Sequence, residues 1–430
     1  MSRQQPPVDP AIRALAQLAR RTGSPLSRRQ LLAGAGLGLA GAGLAACAPP
    51  LPPFTAPAPT ASGTATGAPV AAPTPTLPTD RSATDKKVAW ANWTAYLDYD
   101  EKTKKYPTLE AFIKETGIQA SYSEDVDDND SYVSKIKPQL QASPRQDINR
   151  DIFTLTDWMA NRVIRDGLVQ PLDLIRMPHV ANLRESLKDV SFDPGRRYSL
   201  TWQSGFAGIG YDKSKVGREL KSLSDLWAPD LKGKVTVLSE MRDTVGLIMQ
   251  QQGVDISGKF TKDQVANAMA EVTKRIADGN IRRVKGNAYM EDLKSGNAIA
   301  GIVWSGDLFV LRAETENENW EFVIPDSGGT LWSDNMMIPI TSTHRRNAMA
   351  LMDYYYRPEV AAKVAAYVNY VCPVEGAQEE LKKEDPELAD SPFIFPTEQW
   401  IKEHKIQGFR ALDPQEDADY SAMWAKVVGN

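Results

Sequence analysis

The run Lys87-Val88-Ala89-Trp90-Ala91-Asn92-Trp93-Thr94-Ala95-Tyr96, with Thr108 to Thr116 and Ile118 to Ser123 behind it, decides the fold class. The first seven residues are β-rich and read as a strand. Thr108 to Thr116 carries a helical pattern stopped by Gly117, and Ile118 to Ser123 is extended again. Strand, helix and strand in succession predict α/β architecture.

Working outward, the alternation persists. A helix is expected near Ser131 to Gln141, a strand over Asp151 to Leu155, and a helix over Trp158 to Arg165 that ends at Gly167. Arg197 to Trp202 and Phe206 to Tyr211 read as two consecutive extended runs, candidates for a crossover between lobes. A second set follows: strand Lys234 to Leu238, helices Glu240 to Gln252 and Lys262 to Ala277, strand Ile281 to Val284, helix Tyr289 to Lys294, and strand Ala298 to Trp304. Gly328 to Ile340 is extended and apolar except for Asp334. Helical patterns at Arg345 to Tyr356 and Val360 to Tyr370 come next, and no repeat of solenoid period is visible.

A chain of 430 residues exceeds what one core usually serves, so two lobes are the expectation. Composition is that of a globular protein, 42% hydrophobic and 24% charged, which argues against disorder except where the sequence is locally biased. Residues 1–47 hold six arginines against Asp9, a balance of +5, so the total of −5 leaves −10 on the remainder. An acidic body disfavours nucleic acid as a partner.

Ser27-Arg28-Arg29-Gln30-Leu31-Leu32 precedes an Ala/Gly/Leu run that ends in Leu44-Ala45-Ala46-Cys47. A basic region, a short apolar region and a small-residue processing site form the layout of an export signal. The paired arginines resemble a twin-arginine signal, and Leu-Ala-Ala-Cys resembles a lipoprotein box, in which Cys47 is acylated and opens the mature chain. The apolar run is too short and glycine-rich for a membrane span. Gly36-Leu37-Gly38-Leu39-Ala40-Gly41 matches the dinucleotide fingerprint by accident, since no strand precedes it and no acid follows about 20 residues on. Residues 48–85, dominated by Pro, Ala and Thr, read as an extended tether. A lipid and a tether place the folded body at a membrane surface outside the cytoplasm.

Catalytic and metal signatures are missing from the sequence. His179, His344 and His404 are isolated, Cys372 is the one cysteine left in the body, and no phosphate loop or nucleophile elbow occurs. No enzyme activity, cofactor or metal is therefore expected. Aromatic residues beside acids or hydroxyls are plentiful instead: Trp93, Thr94 and Tyr96 at one strand end, Thr156 and Trp158 at another, Trp304 at a third, and Trp332 with Asp334. Strand C-terminal ends are where open α/β sheets bind ligands. Trp332 and Asp334, two apart on a strand, share a face, and Glu240 and Asp243 share the first turn of a helix. Carboxylates pair with ammonium groups, and indoles wall the methylenes between them.

Asn92-Trp93-Thr94-x-Tyr96, Tyr289-Met290-Glu291 with Gly301-Ile302-Val303-Trp304-x-Gly306, and Trp332-Ser333-Asp334 resemble the spermidine/putrescine-binding proteins of bacterial polyamine ABC importers. The similarity runs from about Lys87 to about Gln407. It implies a two-lobed, type II periplasmic-binding-protein fold closing on its ligand by hinge motion, with lobe 1 over 86–206 and 334–378 and lobe 2 over 207–333 and 379–430. By the same resemblance, Trp93, Tyr96, Trp304 and Trp332 form an aromatic box. Asp334 holds one ammonium, and Glu240 with Asp243 the other amine groups. Thr94, Thr156, Tyr370 and Gln407 add polar contacts. Trp158 stands where the family often has tyrosine, Thr156 where it often has serine, and Glu240 where aspartate is usual, so putrescine and spermidine both stay open.

The implied protein is a monomeric, lipid-anchored receptor that delivers a polyamine to ABC permease subunits. Another organic cation, a ferric complex or a sensing role are the alternatives; a surface enzyme would need a nucleophile and base pair that the sequence does not offer.

Overall fold

The computed structural model describes residues 76–429. The expected export signal with Cys47, the dinucleotide-like match and all but the last part of the expected tether lie outside them.

Ten strands form one continuous sheet: β1 (Lys87–Trp93), β2 (Gln119–Val126), β3 (Ile152–Thr156), β4 (Ser199–Asp212), β5 (Val235–Leu238), β6 (Ile281–Lys285), β7 (Ala300–Trp304), β8 (Trp320–Val323), β9 (Thr330–Met337) and β10 (Gln407–Gly408). The order is β2-β1-β3-β9-β4-β7-β5-β6, with β8 on β4 and β10 on β9. The helices used below are α1 (Pro107–Thr116), α2 (Asn129–Gln141), α3 (Asp157–Arg165), α4 (Met241–Gln251), α5 (Lys262–Ala277), α6 (Tyr289–Lys294), α7 (Ser305–Thr315), α8 (Arg345–Tyr354), α9 (Pro358–Val368), α10 (Ala377–Glu384) and α11 (Pro414–Val428).

The sequence dictates the first of these units locally. Pro107 at the first turn starts α1, where its missing N–H costs nothing, and Gly117 ends it at φ 70°. The chain then returns as β2, parallel to β1. Two parallel trios result, β2-β1-β3 and β6-β5-β7, each with its first strand in the middle. The antiparallel pair β4 and β9 lies between them.

All fourteen residues of β4 are buried. Its first half pairs with β9, and its second half also pairs with β7 and β8. The two extended runs expected from the sequence are thus one strand. The polar interruption Gln203-Ser204-Gly205 stays in the ladder because Ser204 Oγ meets Ser333 Oγ of β9 at 2.7 Å. On the far side, β9 reaches β3, with Asp334 opposite Thr156. Helix α7, β8 and the C-terminal α11 lie where the sequence suggested no element.

Separate apolar cores serve the trios. Trp90, Phe112, Ile152 and Tyr355 belong to one on the first trio, and Val235, Val245, Tyr289 and Ile302 to one on the second. Trp304 packs against both. Cys372 is buried and its thiol is pushed up to about 11 by desolvation, an inert group. Among the described residues, no helix is long and apolar enough to cross a membrane, and no three His, Cys, Asp or Glu are grouped to hold a metal ion.

Candidate ligand-binding site

Two parallel pairs of strands, β1 with β3 and β5 with β7, end towards β9, and each strand delivers residues there. Trp93 is the last residue of β1 and Thr156 the last of β3; Glu240 caps α4 just beyond β5; Trp304 closes β7. Ligand sites form at such C-terminal ends because side chains and helix N-termini converge where the strand order reverses.

Strand β9 runs between these pairs. Thr330, Trp332 and Asp334 alternate onto one face. Asp334 is 5% exposed, and its Oδ1 accepts from Thr156 Oγ1 at 2.6 Å. The Tyr96 hydroxyl also bears on this carboxylate without reaching full hydrogen-bond geometry, and no other partner satisfies it among the described residues. Burial pushes Asp334 up to about 7, against the pull of the Thr156 and Tyr96 hydroxyls. Asn129 holds Thr156 in place, donating Nδ2 to its Oγ1 at 2.9 Å and accepting its backbone N–H at 3.1 Å.

At the other end of the face, Thr330 Oγ1 donates to Asp243 at 2.6 Å, and Trp304 Nε1 donates to the same carboxylate at 2.7 Å. Burial pushes Asp243 up to about 6, opposed by these two donors. The indole of Trp304 thereby has a fixed orientation, and its ring meets Trp332 at 6.4 Å, nearly edge-on. Trp332 meets Tyr370 at 5.1 Å, and Tyr370 meets Tyr96 at 5.7 Å. These contacts link three of the four residues expected in the aromatic box, Tyr96, Trp304 and Trp332, through Tyr370. Trp93, the fourth, is half-buried at the end of β1 with an indole N–H that no described residue accepts, and Thr94 is half-buried in the loop that follows.

Glu240 sits differently. It accepts from Trp158 Nε1 at 3.1 Å and lies 3.6 Å from Arg242 Nη1. Desolvation pushes its carboxyl up to about 7 in spite of Arg242. Arg242 lies over the Trp158 ring at 4.0 Å, Arg162 lies over it at 4.8 Å, and both guanidinium groups reach Asp417 of α11 at 3.0 Å. Trp158 therefore spends its ring on arginines and its N–H on Glu240. Gln407 directs its side-chain carbonyl to the backbone N–H of Ile256 at 3.0 Å, beside Thr330 in the β10–β9 ladder.

Sequence reasoning missed five contributors. Arg242 and Asp417 are 175 positions apart, and no local pattern links them. Asp307 accepts from Tyr289 at 3.0 Å and from Tyr370 at 3.1 Å, which fixes one wall of the box; the Ser-Gly-Asp in front of it read as a strand end. Gly205 faces Trp332 across the ladder, and a Cβ there would strike the Trp332 ring and stand 2.8 Å from Tyr370. Gly306 is as tight: a Cβ there would stand 2.6 Å from the Tyr370 ring. Gly205→Ala is expected to lower stability by about 1–3 kcal/mol through overpacking and to weaken ligand binding, because backbone cannot yield and the two rings must. Thermal melts with and without ligand measure both effects.

A model of the family described as bacterial extracellular solute-binding protein matches residues 107–392, well over half of the chain. The chain belongs to this family. The spermidine/putrescine-binding periplasmic protein of Salmonella typhimurium is 27% identical over 321 residues, covering 74% of this chain and 85% of that protein. The putrescine-binding periplasmic protein PotF of Escherichia coli is 27% identical over 383 residues, covering 85% and 96%. Among solved structures, the spermidine/putrescine ABC transporter substrate-binding protein PotD of Streptococcus pneumoniae superposes with a TM-score of 0.63 at 26% identity, over 80% of this chain and 98% of that one. The fold is thus the solute-binding one expected from the sequence, with two parallel α/β trios around a central site.

Proposed function

We propose that the protein is an extracytoplasmic receptor that captures a polyamine, without chemical change, and presents it to the permease of an ABC importer. The observation that carries this reading is the pair Asp334 and Asp243, buried carboxylates whose hydrogen bonds come from neutral donors, set at the two ends of an indole-lined face. Buried anions without cations are costly, and a cation placed between indoles and carboxylates relieves that cost. The names carried by the relatives support the same ligand class.

Lobe limits at 206/207 and 333/334 fall inside β4 and β9, the strands that pass between the trios. Hinge closure about these strands would bring Trp93, Tyr96, Thr156 and Asp334 against Asp243, Trp304 and Glu240. Thr94, Tyr370 and Gln407 complete the shell, with Trp158 acting through Glu240. The lipid on Cys47 and the tether keep a monomeric receptor near its permease. A thermal-shift panel of putrescine, spermidine, spermine, amino acids, thiamine and sugars tests the reading: stabilisation by polyamines is expected, and stabilisation by none of them overturns it.

A further inference from the structure

We propose that Asp417, on the C-terminal helix α11, is the pin of a latch that holds the two trios together beside the ligand site, and that this latch sets how long a bound ligand stays. The inference rests on the reading of the site as one that closes on its ligand. Its two principal residues, Asp417 and Arg162, lie outside the set expected to meet that ligand.

The latch joins helices that belong to different halves. Helix α3 packs on the first trio through Met159, Ala160 and Val163, which share a core with Phe153 of β3. Helix α11 packs on the second: Tyr420 and Trp424 lie in the core that holds Val235, and Trp424 Nε1 donates to the backbone carbonyl of Ser239 at 2.7 Å. Between these helices Arg162 makes a two-pronged contact, Nε to Asp417 Oδ2 and Nη2 to Oδ1, each at 3.0 Å. Arg165 stands 3.5 Å from the same carboxylate. From its own half, Asp417 accepts Arg242 Nη2 at 3.0 Å. Asp130, in the first turn of α2, accepts Arg162 Nη1 at 2.7 Å and so keeps that guanidinium aimed from within the first half.

These charges need one another. Arg242 is buried in the first turn of α4, where the helix dipole disfavours a cation, and Asp417 offsets both costs. Burial pushes the Asp417 carboxyl up, yet Arg162, Arg242 and Arg165 hold it below its ordinary value, so it stands there as an anion. Two-pronged arginine–carboxylate pairs are directional, and a small separation of the halves breaks both bonds at once. Arg162 is four residues beyond Trp158 on α3 and shares its helix face. Opening the cleft would therefore part Arg162 from Asp417, and Trp158 from Arg242 and Glu240, in one motion. None of these contacts includes a ligand, so the latch also favours the closed state of the ligand-free chain. Release needs opening, which places the effect chiefly on the dissociation rate.

Stopped-flow indole fluorescence of the full chain with putrescine and with spermidine reads both rates. Asp417→Asn leaves the buried Arg242 without its partner and lowers stability too, whereas Arg162→Gln leaves the Arg242–Asp417 pair in place. Arg162→Gln is expected to speed release by about tenfold or more while association changes by less than about threefold. The double variant is expected to release no faster than the faster single one, because both substitutions remove the same contact. Release from Arg162→Gln within about twofold of the parent rate, or effects that multiply in the double variant, overturns the latch. A fluorescence change with neither amine overturns the polyamine reading, and the latch is then judged by small-angle scattering of the ligand-free chain. A larger radius of gyration in Arg162→Gln than in the parent upholds it, and equal radii overturn it.

Discussion

Asp334→Asn is expected to weaken polyamine binding by about 30-fold or more while raising the melting temperature of the ligand-free protein near pH 8. The loss follows from truncating one side of a buried, hydrogen-bonded charge pair, which costs about 2–5 kcal/mol. The gain follows from the opposite state. Without a cation, the Asp334 carboxylate is an uncompensated buried charge, and its pKa is pushed up to about 7 by desolvation. A group whose folded pKa lies above its unfolded value stabilises fully below the unfolded value and loses that contribution as pH rises through the folded one. The neutral amide is spared this loss. It keeps the acceptor that Thr156 Oγ1 uses at 2.6 Å, so the local packing survives. Calorimetry and melting curves on one preparation read both signs, and a variant that loses binding and stability together would mark Asp334 as structural.

The second large effect is on pH. Asp334 is pushed up to about 7 and Asp243 to about 6, each chiefly by desolvation. Protons on these groups must leave before an ammonium can take their place, whereas an alkylamine with a pKa of about 10 stays charged throughout. Affinity is therefore expected to rise by about a hundredfold or more between pH 5 and pH 8 and then to level off. The contribution of these groups to the stability of the ligand-free protein should run the other way, falling as pH climbs from about 4 to about 7, because the folded state retains protons on them that the unfolded chain has released. Titrations in buffers of different ionisation heat would also register proton release on binding. A pH-independent Kd over this range would contradict the assignment of these acids to the ligand.

How legible all this was in the sequence depended on the range of the cause. The run from β1 through α1 to β2 declared itself because period and glycine stop are local. Trp93, Thr156 and Trp304 were legible as strand-end residues, and Glu240 as a first-turn helix residue, for the same reason. The unity of β4 was not, since Gln203-Ser204-Gly205 looks like a break until Ser333 and Trp332 supply partners from β9. Nor could Glu240 be seen as already engaged, because Arg242 is held by Asp417 on α11, an element that the sequence did not disclose. The tightness at Gly205 and Gly306 exists only once Trp332 and Tyr370 are folded over them.

The most direct measurement is a calorimetric titration of the full chain with putrescine near pH 8, repeated with Asp334→Asn. A single saturable site, one putrescine per chain, weakened by about 30-fold or more in the variant, is the expected result. Saturable binding with equal affinity in both proteins would contradict the placement of an ammonium on Asp334, and no binding by either would contradict the polyamine receptor.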